Sequence, residues 1–129
     1  MINNTDSVYS YTVPVEYPKA GGTNSAARGG VVSSGGGETT WCKVPGDLRD
    51  NYIPRMEWSG NSDEIVIQRM NRHQNENRIM LCDAATGAMR TVLVETDAAY
   101  LDAVSDWQWL RGDREFTWVS ERTGWRHLY

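Results

Sequence analysis

The stretch WSGNSDEIVIQRM, Trp58 to Met70, occurs a second time, degenerate but without a gap, as WLRGDREFTWVSE beginning at Trp109. That shift of fifty-one residues sets Trp58 on Trp109, Glu64 on Glu115, Ile65 on Phe116, Ile67 on Trp118 and, just before, Met56 on Trp107. Each copy reads as strand, polar turn, strand. A repeat of a few tens of residues marks units that cannot bury their apolar faces alone and so stack on neighbours.

Four strand signals run through the first copy: Arg55 to Trp58, Glu64 to Met70, Arg78 to Asp83 and Met89 to Thr96. Their connections are Gly60 to Asp63, the polar run NRHQNEN from Asn71 to Asn77, and Ala84 to Gly87. Upstream, residues 26–44 form a hairpin through Gly35, Gly36 and Gly37. At an offset of fifty its Val31 and Val32 fall under Leu81 and Cys82, and Gly36 and Gly37 under Thr86 and Gly87, so it is the back half of an earlier unit. Downstream, Asp106 to Leu110, Glu115 to Glu121 and the last residues supply the front of a later one. Residues 1–12 predict a short strand around Val8, Tyr9 and Tyr11, and VPVEYPKAGG, 13–22, with its two prolines predicts an extended loop. No segment keeps capped helical periodicity.

Four antiparallel strands per unit of this length match a β-propeller blade; sandwiches also use short strands but seldom repeat internally. The expected fold is all-β. One complete blade, 46–97 with strands over about 52–97, lies between the back part of a blade, 1–45, and the front part of the next, 98–129. The chain is expected to begin and end inside blades.

Composition narrows the function. A chain of 129 residues holds one core, and six Trp, six Tyr and twelve Gly against one Phe suit strands joined by tight turns. The net charge of -4 argues against the basic stripe a nucleic acid requires. No stretch approaches the ~20 apolar residues of a membrane-spanning helix, and Met1 is followed by no signal-peptide pattern. Cys42 and Cys82 show no metal or redox spacing; two buried free thiols are expected, with a disulfide open to them in an oxidising compartment. The glycine run precedes neither a Lys-Ser/Thr pair nor a helix, so it serves turns and not phosphates. Nothing in the chain calls for a cofactor or a metal.

Four segments together resemble one family. VEYPKAGGTNS at 15–25 is similar to the YPKAG-x-x-N segment of the dipeptidyl peptidase IV propeller, and QRMNRHQN at 68–75 to its Q-x-x-N-R-x-Q-N loop. CDAATG at 82–87 and WVSERTGWRHLY at 118–129 resemble a blade turn and the S-E-x-x-G-x-x-H-L-Y strand. The resemblance spans nearly the whole chain in the family's order. It implies a bacterial-type parent with an N-terminal propeller and a C-terminal α/β-hydrolase domain, which removes dipeptides from peptide N-termini and is exported to the periplasm or cell envelope. The implied G-x-S-x-G nucleophile elbow does not occur here, and the implied glutamate pair that grips the substrate amine would lie upstream of YPKAG.

The remaining candidate residues read as structure. A triad drawn from His127, Ser120 and Asp113 lacks the strained, exposed serine such a site needs; His127 is expected to hydrogen-bond across blades and His73 to be solvated. Arg111 to Asp113 reads as a turn because the other copy has a turn there. Asp63 and Glu64, with Glu115, read as hairpin-turn residues. Asn3 to Thr5 form a glycosylation sequon. The loop from Ala98 to Ser105 is the functional candidate, since inter-blade loops present ligand contacts while strands pack. By resemblance it lies near the substrate channel with an aromatic and an arginine; here Tyr100 and Asp102 are the candidate contacts and the arginine is missing.

The expected function is therefore a non-catalytic propeller segment that gates and scaffolds peptide access to a hydrolase domain. Its partners are the peptide substrate and that domain in the parent, with self-association through exposed strand edges. A stand-alone module binding protein or glycan through Trp-rich surfaces is the alternative.

Overall fold

The computed structural model describes residues 2–4, 6–112 and 114–129. Its centre is a four-stranded antiparallel meander of β5 (Asn51–Trp58), β6 (Glu64–Asn71), β7 (Glu76–Asp83) and β8 (Met89–Thr96), ordered β5-β6-β7-β8. Two-stranded hairpins flank it: β1 (Ile2–Asn4) with β2 (Tyr11–Val13), and β3 (Gly30–Val31) with β4 (Thr40–Trp41). Beyond it, β9 (Trp109–Leu110) pairs β10 (Glu115–Phe116), and β11 (Val119–Ser120) pairs β12 (His127–Leu128). All pairings are antiparallel, and no helix occurs among the described residues.

The sequence of β6 explains why this sheet is central. Ile65, Val66 and Ile67 run without polar interruption because both faces of the strand are covered. Ile65, Ile67 and Cys82 pack on one face against Cys42 and Val44, which follow β4. Val66, Ile79 and Leu81 pack on the other against Trp118, with Trp107, Trp109 and Phe116 around it. Each fully buried aliphatic side chain contributes about 1.5–3 kcal/mol. The tryptophans and Phe116 meet at ring separations from 5.5 to 6.4 Å, mostly edge to face. The repeat partners Ile67 and Trp118 thus face opposite layers.

Two irregularities have sequence causes. Between Tyr52 and Arg55 the ladder slips by one residue, at the place where Pro54 has no N–H to donate. The polar run at 71–77 is shorter as a loop than its composition predicts. The Asn71 side chain accepts the N–H groups of Asn75 and Glu76 at 3.1 and 3.0 Å and Gln74 adopts φ 54, closing a tight turn and releasing Glu76 and Asn77 into β7. The N-terminal strand expected at Val8 and Tyr9 is displaced: pairing runs between residues 2–4 and 11–13, and Val8 and Tyr9 sit exposed in the connection.

Candidate functional site

The loop after β8 is folded by its own polar residues. Asp97 accepts the N–H groups of Ala99 and Tyr100 at 2.7 and 3.3 Å, an Asx turn that starts it. Leu101 N–H donates to the Gln74 carbonyl at 2.7 Å, fixing the loop to the β6–β7 turn. Further along, the wholly buried Gln68 donates its amide to the Val104 carbonyl and accepts the Val104 N–H at 3.2 Å. Asn77 in turn donates to Gln68 Oε1 at 3.2 Å. A buried side-chain amide therefore stands in for a strand edge, satisfying a backbone that would otherwise be desolvated without partners.

This anchored loop forms one wall of a cleft of ≈ 1210 Å³. Tyr100 is 55% exposed there, its hydroxyl within 3.4 Å of the Gln74 amide, and exposed Asp102 lies beside it on the same wall. Tyr52, Ile53 and Pro54 of the bulged β5 line another side. The third side comes from the β11–β12 hairpin, which contributes Arg122 and Arg126. Arg122 faces the Glu95 carboxylate at 3.1 Å, close enough for an ion pair although not in hydrogen-bond geometry, and Glu95 keeps only a tenth of its side-chain surface. Arg126 reaches Asp106 at 3.2 Å. The cleft thus combines two tyrosines, Tyr52 and Tyr100, four carboxylates, Glu95, Asp97, Asp102 and Glu121, and two guanidinium groups, a set able to hold polar main chain and charged groups.

The loop itself carries no arginine, and the two arginines lining the cleft come from the β11–β12 hairpin. Tyr100 and Asp102 are brought together with Arg122 and Arg126, which sequence reading passed over. A shift of fifty-one residues places those arginines on Asn71 and Asn75, two residues that bond each other at 2.7 Å inside the β6–β7 turn. The repeat carried no sign of their different use.

The other candidates fall into structural places. Ser120 is buried and its hydroxyl accepts the Arg122 N–H and Nε–H at 3.2 and 3.0 Å. His127 is its register partner across the hairpin and is exposed, so the interblade hydrogen bond expected of it is replaced by an open edge position. Asp113, and with it the end of the Arg-Gly-Asp turn, lies outside the described residues, as does Thr5 of the sequon. Arg111 pairs with Glu115 at 3.0 Å within the β9–β10 hairpin, whereas Glu64 of β6 pairs with Arg90 of β8 at 3.0 Å across the intervening β7. His73 is exposed in the turn. Gly36 and Gly37 adopt φ 83 and φ 113 in the β3–β4 turn, a conformation that disfavours side chains. Among the described residues no group of three or more His, Cys, Asp or Glu could hold a metal, and no helix is long and apolar enough to cross a membrane.

Comparison with known proteins agrees with this architecture. The family described as dipeptidyl peptidase IV (DPP IV) N-terminal region matches residues 1–129. Inactive dipeptidyl peptidase 10 of Mus musculus is 33% identical over 87 residues, covering 65% of this chain and 11% of its own length. The Rattus norvegicus protein of the same name is 32% identical over the same share of both chains. The crystal structure of Porphyromonas gingivalis dipeptidyl peptidase 4 superposes with a TM-score of 0.83 at 27% identity, over 98% of this chain and 18% of that one. The chain therefore spans a small part of the length of each of these relatives. With a whole-length family match and an all-β fold shared with a solved member, the chain belongs to the dipeptidyl peptidase IV N-terminal region family.

Proposed function

We propose that this region is a non-catalytic propeller segment of a dipeptidyl peptidase IV-like peptidase, scaffolding and gating peptide access to a hydrolase domain elsewhere in an exported parent. In this reading the four-stranded sheet and its leading turn, 46–97, are one complete blade. Residues 1–45 are the back of the preceding blade and 98–129 the front of the following one. The observation that carries the proposal is the anchoring of the 97–105 loop through Gln68 and Gln74, which presents Tyr100 and Asp102 to the same cleft as Arg122 and Arg126. A wall fixed in this way can orient a passing peptide without being reshaped by it.

The purified chain should release no chromophore from a dipeptide-chromogen substrate that the full-length parent cleaves. Turnover by the chain alone, persisting after replacement of His73 and His127, defeats the reading. The two partial blades, which hold only two-stranded pairings among the described residues, leave strand edges open to further strands, and we infer that the isolated chain associates through them. Light scattering should show mass growing with concentration; a stable monomer on dilution contradicts it.

A further inference from the structure

Cys42 and Cys82 are free, buried thiols in the core, and the Cys82 sulfur lies 2.6 Å from that of Cys42. That is closer than unbonded thiols pack and about half an ångström from the ~2.05 Å of a disulfide. Both backbones are held in place. Cys82 sits within β7, opposite Ile65 on one side and Met89 on the other. Cys42 N–H donates to the Gly29 carbonyl and Lys43 N–H to the Gly87 carbonyl, each at 3.0 Å. At Gly87 the approach is so tight that a Cβ would fall on the Trp41 carbonyl oxygen. The two backbones therefore cannot move apart without breaking a ladder or this contact.

We propose that Cys42 and Cys82 are a disulfide site, closed in an oxidising compartment, which joins the β3–β4 hairpin covalently to the four-stranded sheet. The site is independent of the gating role proposed above. The oxidant is a small-molecule or protein disulfide. One cysteine thiolate attacks it, forming a mixed disulfide and releasing one thiolate; the second cysteine then attacks the mixed sulfur and releases the other. Two thiols lose two protons and two electrons, and the oxidant is reduced to two thiols. In the folded, reduced chain this step is slow, because burial first, then the hydrogen bond with Cys42, pushes the Cys82 thiol up to about 12. The bond forms during folding, when both thiolates are accessible.

The full chain, reduced and unfolded, is refolded in a glutathione redox buffer and mapped by non-reducing mass spectrometry. The expected result is one peptide pair linking Cys42 to Cys82 with the loss of two hydrogen atoms. A thermal midpoint above that of the same chain refolded with reductant is also expected, and C42A/C82A should give the same midpoint in both buffers. Two free thiols after oxidative refolding, glutathione adducts on either cysteine, or a disulfide-linked dimer each overturn the proposal. An oxidised midpoint at or below the reduced one overturns it as well, since a strained bond would not be the one the core is shaped for.

Discussion

Gln68 holds both backbone groups of Val104: its amide nitrogen donates to the Val104 carbonyl while Oε1 accepts the Val104 N–H at 3.2 Å, thirty-six residues along the chain. It is a polar clasp beside an apolar face made of Val66, Ile79, Leu81 and Trp118, to which the bond from the Trp107 indole N–H to the Glu57 carboxylate adds a second link. It couples the central sheet to the loop that carries Tyr100 and Asp102, so packing and site share a residue.

Replacing Gln68 by Leu keeps the volume and removes both bonds. The Val104 carbonyl and N–H lose their partners, and Asn77, whose Oδ1 is already without one, loses the acceptor for its amide. An unsatisfied buried group costs about 1–3 kcal/mol, so Q68L should lower the unfolding free energy by about 2–4 kcal/mol in urea titration. Limited proteolysis should cut first between Ala98 and Ser105. An unchanged midpoint would mean that the loop is held by Asp97 and Gln74 alone.

Two glycines with similar backbones separate conformation from packing. Gly112 has φ 61 with open space around it, whereas Gly87 has φ 70 and no room for a Cβ beside the Trp41 carbonyl. Gly112→Ala should cost about 1 kcal/mol, the penalty of positive φ alone. Gly87→Ala adds the displacement of the β4 segment and should cost at least about 2–3 kcal/mol. Equal costs from chemical denaturation would show that the β3–β4 hairpin yields freely.

Much of this architecture is legible in the sequence. The repeat that sets Trp58 on Trp109, Ile65 on Phe116 and Ile67 on Trp118 identifies stacked sheets, because units of this length bury their apolar faces only against neighbours. The ends of elements were less legible. Glu76 and Asn77 are polar by type yet lie in β7, because the Asn71 side chain closes the turn early and Asn77 is sealed beneath Gln68. Arg122 and Arg126 left no local trace: they reach the cleft through hairpin pairing, and a linear pattern carries no record of which loop a hairpin will face.

Acid should weaken the sheet through two carboxylates. The Arg78 side-chain bond, with further help from Arg69, holds Glu76 below its ordinary 4.5. The Thr86 hydroxyl, then the backbone N–H groups of Thr86 and Ala85, hold Asp83 below 3.8. Both folded values are depressed, so their stabilisation is complete above the unfolded values and fades as pH falls through the folded ones. Urea midpoints should be level down to about pH 5 and decline below about pH 4. E76Q/D83N should be less stable than the parent chain at neutral pH and lose less on acidification. A parallel decline in both proteins would place the acid sensitivity elsewhere.

The cleft makes the functional prediction. If Tyr100 and Asp102 contact peptide in the full-length parent, removing them weakens binding and leaves the chemistry alone, since neither belongs to the hydrolase machinery. One lost hydrogen bond is worth about 0.5–1.5 kcal/mol, so Tyr100→Ala and Asp102→Ala should each raise KM by about three- to tenfold with kcat unchanged. Arg126→Ala should act in the same direction by freeing Asp106 and removing one guanidinium from the opposite wall. Steady-state kinetics on a set of dipeptide substrates and on a longer peptide distinguishes the outcomes. A larger KM effect for the longer peptide fits a channel wall, whereas a fall in kcat for every substrate would make these residues supports of the hydrolase domain. Unchanged kinetics in all three variants would remove this cleft from the peptide's path.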